Sequence, residues 1–161
     1  MTPFILGSSS PRRKEILNFF SIPFTVHASY FDESTIPVEK DPIAYAKSLA
    51  KAKLLELKDQ FAESTILTAD TIVYCNGKVY NKPKDETEAF QALLELQGKW
   101  HSVFTALCLY KGKDKKIFDI AEETRVLFNP LNEDQIKQYH SKIHFLDKSG
   151  SYTIQQGAGL I

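Results

Sequence analysis

A run of β-forming residues, Ile66-Leu67-Thr68-Ala69-Asp70-Thr71-Ile72-Val73-Tyr74, leads through Cys75 into Asn76-Gly77, and no other stretch constrains the chain as much. Asn-Gly tolerates positive φ at both central turn positions, so it closes a two-residue hairpin whose twist suits the strands it joins. The register then pairs Cys75 with Lys78, Val73 with Tyr80 and Thr71 with Lys82. Pro83 has no N–H to donate and should end the ladder. This register sets Lys82 beside Asp70. A carboxylate in the middle of so apolar a strand is costly unless it is paired, hydrogen-bonded or bound to a metal. Two readings stay open: a structural Asp70–Lys82 ion pair, or a carboxylate held ready for chemistry with its pKa set by neighbours.

Near the start, Phe4-Ile5-Leu6 reads as a short strand, Ser8-Ser9-Ser10 as a hydroxyl-rich loop, and Ile16, Leu17 and Phe20 as a helical pattern. Ser10 suits the N-cap and Pro11 the first helical position, where a missing N–H costs nothing. Arg12, Arg13 and Lys14 then crowd the first turn. The positive end of the helix dipole disfavours each cation there by a few tenths to about 1 kcal/mol. A bound anion would reverse that penalty, and free helix amides, two guanidinium forks and three hydroxyls together make a phosphate site. The alternative is a solvated helix start whose basic stems lie over apolar surface. Lysine plus arginine equals aspartate plus glutamate at 20 each. No overall field therefore draws the chain to nucleic acid or a membrane, and an anion site has to be local.

Ile22 to Ala28 reads as a second strand, followed by an acidic loop from Tyr30 to Lys40 that carries Asp32 and Glu33. Asp41-Pro42 starts a helix running to about Phe61. Ala46, Ala50 and Leu57 share one face of it, and Lys53 falls on that face, pointing to the interior or a cleft, or snorkelling past small residues. Lys47, Lys51 and Lys58 form an ordinary solvated face elsewhere. Asp85 and Glu88 make a capping-box-like start for a helix with Ala89, Leu93 and Leu96 inward, ended by Gly98. Ser102 to Tyr110 and Lys116 to Phe128 should form a hairpin across a charged turn. Asn132 with Gln135 starts a last helix with Ile136, Tyr139 and Ile143 inward. His140 and His144 sit one turn apart, and with no third ligand nearby they read as surface histidines. Lys148 to Gly159 is a glycine- and hydroxyl-rich loop suited to close approach of a ligand. Leu160-Ile161 reads as a strand just beginning.

The 161 residues make one domain by size, able to bury roughly 70% of the unfolded surface. Alternating strands and helices with interposed hairpins predict an α/β or α+β sheet of mixed direction. Cys75 and Cys108 are too few for a disulfide framework and lack metal-ligand spacing, which fits a reducing compartment. No apolar run approaches the roughly 20 residues of a membrane span, and the N-terminus lacks a signal-peptide layout. The expectation is a cytoplasmic protein.

Five ordered segments together resemble the Maf family of nucleoside triphosphate pyrophosphatases. They are Leu6-Gly7-Ser8-Ser9-Ser10-Pro11-Arg12-Arg13, Leu49-Ala50-Lys51-Ala52-Lys53, Ala69-Asp70-Thr71, Asn81-Lys82-Pro83-Lys84-Asp85, and Asp147 to Gly157. The resemblance implies an inosine-triphosphatase-like α/β fold, a twisted mixed sheet flanked by helices with two lobes around a central cleft, often dimeric. Arg12, Thr71 and Gln155 match the dTTP/UTP pattern within the family. Gln97-Gly98-Lys99-Trp100-His101 replaces the usual Ser-Gly-x-Thr-His, and Gln156 stands where a glycine often follows the glutamine. Family members continue through another strand, a Gly-Leu-Pro motif and a helix, so the resemblance implies that residues 1–161 form a single domain, with the expectation that its C-terminal side is shortened.

The activity so implied is hydrolysis of a nucleoside triphosphate, dTTP or UTP and modified pyrimidine nucleotides among them, to the monophosphate and pyrophosphate. Arg12, Arg13, Lys53 and Lys82 would hold the phosphate chain, with Ser8 adding hydrogen bonds. Asp70 would be the general base. Glu33 and Asp70 would hold Mg2+ or Mn2+, since one or two carboxylates plus substrate phosphate satisfy such an ion. Thr71 and Gln155 would read the base. A different class of function is a nucleotide-binding regulator of cell division acting through a protein partner. DNA binding is a third, since Ser-Pro-Arg-Arg-Lys suits a minor groove when repeated; here it occurs once, in a neutral chain.

Overall fold

The computed structural model describes residues 3–161, and its backbone is a mixed α/β arrangement built on one six-stranded sheet. Strand β1 (Phe4–Leu6) runs parallel to both β2 (Thr25–Val26) and β3 (Thr65–Cys75) and lies between them. The order continues through β5 (Trp100–Lys111) to β6 (Lys116–Leu127), while β4 (Lys78–Tyr80) pairs antiparallel with β3. Four helices accompany the strands among the described residues: α1 (Pro11–Phe19), α2 (Pro42–Lys58), α3 (Glu86–Leu96) and α4 (Glu133–His140). No helix among them is long and apolar enough to cross a membrane.

The predicted hairpin forms. Asn76 and Gly77 take φ of 49° and 84°, as a two-residue turn of this chemistry requires, and Cys75–Lys78 and Val73–Tyr80 are paired. The ladder stops earlier than expected, however, with Val73–Tyr80 as its last rung, so Thr71 and Lys82 are not partners in it. The reason lies beyond the hairpin: the Asn81 carbonyl accepts the Gly150 N–H at 3.2 Å. Chain past Tyr80 is thus committed to the closing segment instead of β3.

Helix starts follow their caps closely. The Asp41 side chain accepts from the Ile43 N–H and Asp85 from the Glu88 N–H. Asn132 and Gln135 form a complete capping box. Three boundaries differ from expectation. The strand predicted over Ile22–Ala28 contracts to Thr25–Val26 because Ser21 turns to φ 53° and Pro23 cannot donate. Helix α2 ends at Lys58, with turns following in which the Phe61 N–H still bonds the Leu57 carbonyl at 3.2 Å. Leu160 lies in a 3-10 turn instead of a strand, and the carbonyl of buried Ile161 accepts the Asn129 N–H at 2.7 Å.

Two compact units emerge. One comprises the chain through Asp70 with Thr105–Glu122, and the other comprises Thr71–Phe104 with Glu123–Ile161. The first buries Ile5, Leu6, Leu49, Ala50, Leu54, Ile66 and Ala106, so α2 lies with its small-residue face inward. Thr68 fixes that face by donating from Oγ1 to the Ala50 carbonyl at 2.7 Å. The second has its own core, in which Val73, Tyr80, Leu93, Leu96, Phe128, Ile136 and Tyr139 cluster. Cys75 and Cys108 are both buried free thiols.

Candidate active site

Within the first unit the turn from β1 to α1 is drawn toward β3 by one guanidinium. Arg13 Nη1 donates to the Ala69 carbonyl at 2.8 Å and to Ser8 Oγ at 3.3 Å. Ser8 is itself buried and accepts the Ser10 N–H at 3.2 Å. Ser10 occupies the N-cap with extended backbone, but its side chain makes no capping bond. The first turn of α1 is therefore not closed by its cap residue, which leaves the N–H-rich end in the form that anions favour. Burial pulls the Arg13 guanidinium below its ordinary range; Asp70 opposes this, Arg12 reinforces it and Glu33 opposes it. Arg12, one residue earlier on α1, is exposed.

Helical periodicity carries Lys53 inward from α2, one of few buried charges among the described residues. Its Nζ meets Asp70 Oδ1 in a short contact and Glu33 Oε1 at 2.8 Å. Within this unit the cation that meets Asp70 is Lys53, brought by the packing of α2. Asp70 lies on β3 with 5% of its surface exposed. Burial raises its pKa, outweighing the downward pull of the Lys53 charge and hydrogen bond. Glu33 opens a 3-10 turn, Glu33–Thr35, whose start is capped by Asp32 accepting the Ser34 N–H at 3.0 Å.

Two carboxylates, one from a strand and one from a loop, thus converge on a single positive group. That donor set is hard oxygen throughout, which suits Mg2+ or Mn2+ completed by phosphate oxygens. Among the described residues no cluster of three or more His, Cys, Asp or Glu side chains could hold a metal without such help. The residues fit a divalent ion that arrives with an anionic substrate.

Thr71, Lys82 and Gln155 belong to the second unit. The closing segment ties all three regions together there. Ser149 Oγ donates to the Thr71 carbonyl at 2.7 Å, Gly150 N–H to the carbonyl of Asn81, which precedes Lys82, and Thr153 Oγ1 to Gln155 Oε1. Thr71 is half-buried, whereas Lys82 and Gln155 are exposed.

Buried polar pairs in this unit had no distinct sequence signal. His101 Nε2 lies 2.8 Å from the Tyr152 hydroxyl, and His101, Phe128 and Tyr152 pack edge to face. His101 belongs to the segment that departs from the family pattern, where Gln97 Oε1 also accepts the Leu131 N–H at 3.2 Å. That departure is used in the framework. His140 stacks on Phe145 and bonds the Ser151 carbonyl at 3.2 Å. Alternation in Trp100–Lys111 buries Phe104, Ala106, Cys108 and Tyr110, and His101 is out of phase with that set, so strand patterning gives no clue that it faces inward.

Comparison with known proteins supplies a second, independent line. A family model described as "Maf-like protein" matches residues 3–161. The chain is 45% identical over 158 residues to a Chlamydia felis protein named dTTP/UTP pyrophosphatase, covering 98% of this chain and 80% of that one. It is 48% identical over 162 residues to a Pyrococcus furiosus protein of the same name, covering 100% and 82%. A Chlamydia muridarum protein named nucleoside triphosphate pyrophosphatase is 40% identical over 161 residues, covering 99% and 81%. Among solved structures, a nucleoside-triphosphatase (dITP/XTP pyrophosphatase) from Mycobacterium abscessus aligns with TM-score 0.45 and 8% identity, over 78% of this chain and 74% of that one.

Proposed function

The chain belongs to the Maf family, and from that premise we propose that it hydrolyses nucleoside triphosphates, dTTP and UTP foremost, to the monophosphate and pyrophosphate. Relatives named for that activity, alike over nearly the whole chain, support the reaction. The single structural observation that carries the reading is the buried meeting of Lys53 with Asp70 and Glu33, beside Arg13 in the same unit. It supplies the three things the chemistry needs: positive charge, a carboxylate of raised basicity, and oxygen ligands for a cation.

Water attacks the α-phosphorus and pyrophosphate leaves. Asp70 takes the proton from that water, a role suited to a carboxylate that burial makes a better base. Arg13 and Lys53, with Arg12 and Lys82, offset the charge of the phosphate chain, and Ser8 with the open turn of α1 adds hydrogen bonds. Asp70 and Glu33 would hold Mg2+ or Mn2+, which when bound neutralises phosphate charge as a Lewis acid. Thr71 and Gln155 meet the base. The two free thiols support placing the protein in the cytoplasm. A regulator without turnover is not favoured, because each role the hydrolysis needs has a side chain here and the relatives are named as enzymes.

The test is a pyrophosphate-release screen over ordinary and modified triphosphates with Mg2+ and with Mn2+. Turnover should be highest with dTTP and UTP, and Asp70→Asn should lower kcat by about 100-fold or more. Undiminished release by Asp70→Asn would remove Asp70 from its role. Tight dTTP binding with no product would favour the regulator instead.

A further inference from the structure

The closing segment holds an exposed residue between two fixed points. Thr153 is buried, Gln155 two residues later is exposed, and Gly157 two residues after that returns against α4. Both points rest on one side chain. The Tyr139 hydroxyl donates to the Thr153 carbonyl at 2.8 Å and accepts the Thr153 N–H at 3.0 Å. A Cβ at Gly157 would fall 3.0 Å and 3.1 Å from Cε2 and Cδ2 of the same ring, at a φ of +66°. Tyr139 itself has 0% of its surface exposed and stands on α4, whose start is set by a complete capping box.

One hydroxyl that both donates to and accepts from the same residue defines that residue's orientation as well as its place. Orientation passes onward through Thr153 Oγ1 to Gln155 Oε1. Recognition by an amide depends on where its donor and acceptor point, so an error of aim is an error of discrimination. A buried tyrosine would be expected to find one partner for its O–H. Tyr139 uses both its donor and an acceptor lone pair on the backbone beneath Gln155.

We propose that Tyr139 is the positioning residue for Gln155, setting base discrimination from the core of the second unit without touching substrate. The proposal rests on the reading of Gln155 as a residue that meets the base. Tyr139→Phe keeps the ring that supports Gly157 and removes the hydroxyl. The expected result is a KM for dTTP about tenfold higher with kcat nearly unchanged, and a ratio of kcat/KM for dTTP over dCTP that falls about tenfold, toward the ratio of Gln155→Ala. A merely structural role would lower the thermal midpoint and leave that ratio alone, which would overturn the proposal.

Thr153→Val serves as the second variant, since it preserves shape and the Tyr139 bonds to the backbone while deleting the hydroxyl link to Gln155. Its ratio should fall in the same sense. If Tyr139→Phe does not fold, an unchanged ratio in Thr153→Val overturns the proposal and a lowered one upholds it. If Gln155→Ala loses discrimination while Tyr139→Phe folds and keeps it, only the proposal fails. Should Gln155→Ala keep discrimination, the reading of Gln155 fails and the proposal with it.

Discussion

Lys53 is one positive charge set against two carboxylates where little water reaches: it is 9% exposed and Asp70 5%. For such a group the cost of desolvation cancels much of the attraction, so the intact pair adds little stability while a broken pair is costly. Lys53→Met removes the cation and leaves Asp70 buried without it. The expected loss is about 3 kcal/mol at neutral pH, read from equilibrium urea unfolding. Adding Asp70→Asn to the same chain should return most of it, because the uncompensated charge is then gone. Unequal recovery would show that Glu33, not Asp70, is the main counter-charge. The inward aim of Lys53 was legible from helical spacing alone, since periodicity is a local property. Its partner was not. Helical spacing does not say which carboxylates Lys53 meets, and the bond from Arg13 to the Ala69 carbonyl involves a backbone atom that no side-chain pattern marks.

Among the elements, β1, the loop that follows it and α2 pack without slack at Gly7. A Cβ there would meet Thr68 Cγ2 at 2.6 Å and Leu57 Cδ1 at 2.8 Å. The leucine can turn aside. Thr68 cannot rotate without giving up its 2.7 Å bond to Ala50. Gly7→Ala should therefore cost roughly 1–3 kcal/mol of stability, measured as a lower urea midpoint with an unaltered m-value. It should also raise the KM for dTTP, because the displaced backbone carries Ser8. At this scale the chain was most readable where chemistry is local. The Asn76-Gly77 turn and the caps at Asp41, Asp85 and Asn132 fall where their residue types place them. It was least readable where an element ends for a distant reason, as β4 does when Asn81 bonds Gly150.

For the molecule as a whole, stability should depend on pH through histidines that burial keeps neutral. Burial lowers the pKa of His101 and of His140 below 6.5. The unfolded chain then binds more protons than the native one as pH falls through 6.5, so native stability declines from that point down to the lowered values. Asp70 acts in the opposite sense, because its raised native pKa favours the folded state as acid is added below that value. The thermal midpoint should fall between pH 7 and pH 5.5, by less in His101→Phe, as measured by circular dichroism across buffers of equal ionic strength. A slope that is the same in both proteins would assign the effect to other groups. The wider architecture, a mixed sheet flanked by helices, was readable from alternating periods; two lobes were implied by the family resemblance, and no strand pattern marks where the division into units falls. It passes through the middle of β3, β5 and β6, where strand patterning continues unbroken. Finally, β6 closes the strand order and offers Phe118, Ile120 and Leu127 to solvent. Lys116, Asp119, Glu122, Glu123 and Arg125 are spaced among them, with Asp119 bonded to Lys47 at 2.7 Å. A bare hydrophobic edge of this length would recruit further chains strand by strand. Interspersed charges of this kind lower the tendency of an apolar strand edge to pair with another strand.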